Sequence, residues 1–174
     1  MTTRVAFLRA VNLGTRTVKM AKLVEVFEGL GYDGAWTHIN SGNVVFDASG
    51  SRADLERRIE SKLEAAFGFE MTTFVRTAAE LRKIVDAEPF KLTSGDTYFV
   101  TFLKDVPSKA TVRALEALSN DFDTLVVHGR DVHWRMRGKS TDSTLKTKDW
   151  RSLVGEHRST SRNMTMLRKL VHKL

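Results

Sequence analysis

The sequence predicts an α+β protein of two ferredoxin-like lobes, the second altered and ending in a C-terminal helix. Three observations carry that expectation. Short apolar runs and stretches of helical period alternate over residues 1–92 in the order βαββαβ. The same order begins again over residues 93–174. Turn and cap residues punctuate nearly every junction.

In the first lobe, residues 5–11 (VAFLRAV) read as a mostly buried strand. A polar loop, residues 12–19, leads to a helix with Met20, Leu23, Val24, Phe27 and Leu30 at helical spacing, stopped by Gly31. Strands over 35–40 and 43–47 follow, joined by Ser41-Gly42, a two-residue connection of the kind hairpins favour. That pairing sets Asn40 opposite Asn43, with Trp36, His38 and Val45 on one face and Thr37, Ile39, Val44 and Phe46 on the other. Ser51 with Asp54 caps a helix presenting Leu55, Ile59, Leu63 and Phe67, and Gly68 ends it. A strand over 71–76 completes the set, and Thr77 with Glu80 caps a short helix.

The second lobe starts after a linker at 91–96 (KLTSGD). Its strand spans 97–103, and Pro107-Ser108 starts a helix with Leu115 and Leu118 inward. A hairpin follows, 125–128 with 131–136 around Gly129-Arg130, and then a helix near 143–154. No final strand is legible. The chain closes instead in an amphipathic helix from about Asn163, with Met164, Leu167, Leu170, Val171 and Leu174 inward.

Composition narrows the class. The chain has 174 residues and no cysteine, which removes disulfides, thiolate ligands and cysteine nucleophiles. No apolar run approaches a bilayer span and residues 1–9 lack the pattern of a secretory leader, so a cytoplasmic protein without membrane contact is expected. The net charge of +7 is uneven: residues 1–90 hold 12 Lys/Arg against 12 Asp/Glu, and residues 91–174 hold 16 against 9. Residues 130–174 alone hold 12 against 4, a local potential suited to phosphates or an acidic partner.

Topology then joins two stretches that are distant in sequence. With the spatial order 4-1-3-2, the loop 12–19 and the Ser41-Gly42 turn lie at the same end of the first sheet. Arg9, Asn12, Gly14, Arg16, Lys19, Ser41 and Asn43 form a rim beside the first helix's N-terminus, with Gly42 in the turn, where free N–H groups and the helix dipole favour an anion. The same asparagines also suit plain turn capping, and spacing leaves both readings open.

These residues also carry a resemblance. FLRAVNLG with Val18-Lys19-Met20, then INSGNVVF, then FGFE and VRTAAEL, and finally Ser161-Arg162-Asn163 resemble the bacterial family known as domain of unknown function 1697, in order along nearly the whole chain. Ala10 stands where that family has a glycine, and Met164 where it has a tryptophan. The resemblance implies a pair of ferredoxin-like lobes, marks Arg162 and Asn163 alongside the rim, and implies no established activity or catalytic residues.

Common signatures for nucleotide loops, serine hydrolases and zinc proteases are absent. His128, Asp131 and His133 are the nearest approach to a metal set, yet no metal or other cofactor is expected; His38 is the one candidate general acid or base on the first sheet. An RNA-stacking platform is poorly supplied, with only Phe7, Val45 and Trp36 on the relevant face. Arg135, Arg137 and Lys139 are the expected nucleic-acid contacts in the basic region. The sequence therefore points to a binding protein for an anionic ligand, nucleic acid or a nucleotide, at the rim. The alternatives are a small-molecule enzyme using Arg9, Lys19, Ser41 and Arg162 on a phosphorylated or carboxylated substrate, and a protein-interaction module.

Overall fold

Apolar alternation in the opening residues produces β1 (Thr2–Leu8), the strand around which the first sheet forms. The computed structural model describes residues 1–174 as an α+β structure with two four-stranded antiparallel sheets and six α-helices. None of the helices is long and apolar enough to cross a membrane. By packing, the chain divides into two compact units, Met1–Leu81 and Arg82–Lys173.

In the first unit β1 is followed by α1 (Met20–Glu28), β2 (Trp36–Thr37), β3 (Asn43–Ala48), α2 (Arg52–Phe67) and β4 (Thr73–Thr77). The strand order is β2-β3-β1-β4, the order that puts the β1–α1 loop and the β2–β3 tip at one end. Ala6, Leu8, Val44, Phe46 and Val75 face Leu23, Phe27, Leu55, Ile59 and Leu63 of the helices in one buried cluster. Each such side chain contributes roughly 1.5–3 kcal/mol. Ser51 accepts the Asp54 N–H as the α2 cap, and Gly68, at φ 77°, closes the helix. Thr77 and Glu80 bond reciprocally at the start of α3 (Ala78–Asp86).

The edge of this sheet at β4 is closed by carboxylates. Thr73, Val75 and Thr77 turn their N–H groups outward, and these donate to Glu60 at 2.8 Å, Glu56 at 2.9 Å and Glu80 at 2.7 Å. Glu56 is itself neutralised by Arg52 at 2.6 Å. An edge so occupied offers no donors to another strand.

The second unit repeats the order with β5 (Thr97–Leu103), α4 (Lys109–Glu116), β6 (Asp123–His128), β7 (Asp131–Met136), α5 (Thr147–Val154) and β8 (Ser159–Asn163), then α6 (Met164–Val171). Its strand order, β6-β7-β5-β8, matches the first. Here the structure corrects the sequence reading, because the last strand is present. Its residues, Ser-Thr-Ser-Arg-Asn, carry no apolar alternation and are held through the β5 backbone alone, so periodicity had nothing to register. The helix expected near 143–154 is shorter, preceded by a 3₁₀ turn at Ser140–Asp142. Leu103, Leu115, Leu125, Val132, Trp134, Met136 and Trp150 form this unit's core. Beneath it Asp123 is fully buried and accepts from Trp134 Nε1 at 2.7 Å and Ser143 Oγ at 2.8 Å.

The repetition extends to single hydrogen bonds. Leu8 N–H donates to Gly42 O and Leu103 N–H to Arg130 O, both at 2.8 Å. Arg9 N–H donates to Thr72 O at 2.9 Å and Lys104 N–H to Arg158 O at 3.0 Å. The β6–β7 turn is the expected two-residue Gly129-Arg130 connection, with His128 opposite Asp131.

The first hairpin departs from expectation. Thr37 pairs with Val44 and His38 N–H donates to Asn43 O at 2.9 Å, so Asn40 does not oppose Asn43 and residues 39–42 form the connection. The register has moved by two residues. Because side chains alternate with period two, the faces survive: Phe46 joins the helix-side core and Trp36, His38 and Val45 remain together on the other face.

Candidate functional site

The site begins where β1 leaves the sheet. Ala10 takes φ 60°, and the following loop is tied by Asn12, whose Oδ1 accepts the Val18 N–H at 3.1 Å and whose Nδ2 donates to Asn40 O at 3.4 Å. One side chain thus closes the loop and joins it to the hairpin tip. Gly42 completes the junction. At φ 73° a Cβ there would lie 2.4 Å from Val11 Cγ2, so only glycine lets the tip approach the loop this closely. The two polar stretches are neighbours, as the topology required.

Asn43 resolves toward turn building. It is fully buried, and its Nδ2 donates to His38 O at 3.0 Å and Ser41 Oγ at 2.7 Å. Its expected place among rim donors is therefore corrected: a buried amide would be left unsatisfied if it turned outward. The tip holds Ile39 at φ 53°, an uncommon conformation for a β-branched residue.

Between loop and tip lies an open groove of about 580 Å³, lined in part by Asn12, Gly14, Arg16, Lys19, Met20 and Asn40. The α1 N-terminus opens into it. Lys19 occupies the cap position without a side-chain acceptor, and no acidic residue stands in the first turn. The first N–H groups and the positive end of the dipole are therefore unanswered by the chain. Arg16 lies 4.5 Å over the Phe69 ring, which fixes its charge at the mouth. Lys19 and Asn40 are exposed.

The structure thus brings Asn12, Gly14 and Lys19 to the groove, with Arg16 and with Asn40, whose part the sequence reading had missed. The signal was its place beside the tip. Gly42 and Asn43 build the wall, Ser41 accepts from Asn43, and Arg9 is half-buried with its N–H on Thr72. Arg162 and Asn163 lie on β8 of the second unit. Asn163 caps α6 by accepting the Thr165 N–H at 2.8 Å, and Arg162 donates to Thr160 Oγ1 and Ser161 O. Desolvation lowers Arg162 to about 10, which leaves it charged at neutral pH.

The expected nucleic-acid contacts are mostly engaged within the chain. Arg135 donates to Thr124 Oγ1 at 2.6 Å and lies 5.6 Å over the Phe90 ring. Arg137 bonds Asp96 at 3.0 Å, and the Thr93 N–H, with Arg137 assisting, holds that carboxyl below its ordinary value. Lys139 is exposed.

His128 and His133 face each other with ring centroids 4.9 Å apart, yet no three metal-ligating side chains converge with Asp131. His133 is fully buried with Nδ1 against the Tyr98 hydroxyl. Burial, with His128 second, pushes it down to about 4; burial also raises Tyr98 to about 12. His38 is buried beside Trp36, their ring centroids 6.3 Å apart.

The corresponding end of the second unit is finished differently. Ser108 Oγ accepts the Thr111 N–H at 3.1 Å at the head of α4, and Asp105 takes the Arg158 guanidinium. The depression there is about 190 Å³.

Fold and site together define a class: an α+β protein that uses one strand order twice and keeps one cationic, uncapped rim. The chain belongs to the family of proteins of unknown function called DUF1697, whose signature matches residues 1–133. Among solved structures it is similar to the conserved bacterial protein SP0830 from Streptococcus pneumoniae, with a TM-score of 0.72 and 18% identity over 100% of this chain and 98% of that one. At that identity the likeness shows fold. No curated protein matches the chain.

Proposed function

We propose that this is a binding protein, built from two ferredoxin-like plaits, whose first-lobe rim takes the phosphate of a nucleotide or of nucleic acid. The observation that carries the reading is the uncapped head of α1, open to a groove flanked by Arg16, Lys19, Asn12 and Asn40. Helix N–H groups, an ammonium and an amide together match the oxygen acceptors and charge of a phosphate. The engaged state of Arg135 and Arg137 favours this rim over the β7 surface as the anion site.

The test is a thermal-shift series with inorganic phosphate and nucleotides, beside salt-dependent retention on RNA. A ligand at a hundred times its Kd adds about 2.7 kcal/mol of stability. Lys19→Ala and Asn40→Ala remove exposed groups and are expected to abolish the gain while the unliganded Tm holds. Absence of both a nucleotide shift and salt-sensitive retention overturns the reading.

A further inference from the structure

The two sheets end in edges of opposite character. Lys104 N–H bonds Arg158 O, and the β5–β8 register continues from that pair, so Thr160 and Arg162 bond inward and Ser161 and Asn163 turn their N–H groups outward. In β4 the corresponding donors, Val75 and Thr77, meet Glu56 and Glu80. In β8 neither Ser161 N–H nor Asn163 N–H meets an acceptor, and Ser161 is exposed. The cause is legible in the helices. α2 runs sixteen residues and carries its carboxylates over β4, whereas α5 runs eight and sends none to β8. At the strand's end Met166 stands three residues after Asn163, where Glu80 stands three after Thr77.

Charge selects the occupant. Arg162 lies on the strand, with its guanidinium on Ser161 O. The adjoining helices carry Lys148 and Arg151 on α5 and Arg168 and Lys169 on α6, while Asp149 spends its carboxylate on the Lys146 N–H. A second copy would bring the same cations against themselves, a repulsive juxtaposition. We propose that the outer edge of β8 pairs with an extended acidic segment of a partner protein, adding a fifth strand to the second sheet. Main-chain bonds to Ser161 and Asn163 supply the pairing, and carboxylates facing Arg162 supply the preference. The proposal is independent of the rim.

The test is an amide NMR titration with a blocked hexapeptide alternating Glu and Thr, and a Lys-Thr hexapeptide as control. The acidic peptide is expected to shift the Ser161 and Asn163 resonances saturably, and the basic one to leave them unchanged. Ser161→Pro removes an outward donor without touching the β5 ladder and is expected to weaken binding at least tenfold at unchanged Tm. Met166→Glu, which supplies the acceptor that Glu80 gives β4, is expected to weaken it as well and decides the matter if the proline variant does not fold. Resonances unmoved at millimolar peptide, equal response to both peptides, or binding undiminished in both variants overturns the proposal. Concentration-dependent shifts of the same amides without peptide overturn it in favour of a second copy.

Discussion

At the head of α4, Ser108 accepts a helix N–H and Asp105 neutralises Arg158; at the head of α1, Lys19 holds the cap position and accepts nothing. The backbone beneath is the same in both, down to the paired bonds of Leu8 with Gly42 and Leu103 with Arg130. One scaffold end therefore serves either as a closed corner or as an open anion site, and a few side chains decide which. The second lobe supplies its own anion. The first leaves that place to a ligand.

The sharpest way to break the comparison is at the turns. Gly42→Ala places a methyl into Val11 at positive φ, and the expected cost is about 2–4 kcal/mol, read from chemical denaturation. Gly129→Ala has positive φ but open space around it, and about 1 kcal/mol is expected. Equal losses would show that the tip is not docked on the loop.

A pH series separates the sheets next. His133 titrates near 4 folded and about 6.5 unfolded, so between those values the unfolded chain binds more protons and stability falls as pH falls, by up to about 3 kcal/mol. Amide exchange is expected to show β5–β8 losing protection over this window ahead of β1–β4. His133→Gln flattens the dependence.

Smaller still is the exchange of caps. Lys19→Ser gives α1 the acceptor that α4 has and is expected to stabilise the protein by about 0.5–1 kcal/mol while weakening phosphate binding several-fold. Gain in stability with undiminished binding would move the ligand away from the helix head. Asp105→Asn, breaking an exposed ion pair, is expected to change stability by under about 1 kcal/mol.

Elements written in apolar period or cap chemistry were readable from the sequence: Ser51, Thr77 with Glu80, Ser108 and Gly68 all do what their residue types suggest. The meeting of loop and tip was readable too, because strand order dictates it. β8 was hidden because backbone pairing with β5 leaves no trace in polar side chains. The hairpin register was hidden because Ile39, a residue that favours extended backbone, adopts positive φ in the tip. Asn43 looked like a ligand donor and proved to be internal support, since sequence does not reveal that a turn amide is fully buried. Nor does it reveal that Glu56 and Glu60, on an outwardly ordinary helix, close the edge of β4.

The central place of β1 and β5 also sets a timetable for synthesis. Each is flanked on one side by the last strand of its sheet, so the first sheet is complete once Thr77 has emerged and the second only at Asn163, 86 residues later. At roughly 5–20 residues per second, that interval lasts about 4–17 s. Throughout it the loop, the hairpin tip and the head of α1 are already made, while β5 still waits for β8 to cover its flank. A chaperone or nascent-chain partner acting on this protein would meet a finished first sheet beside an unfinished second one.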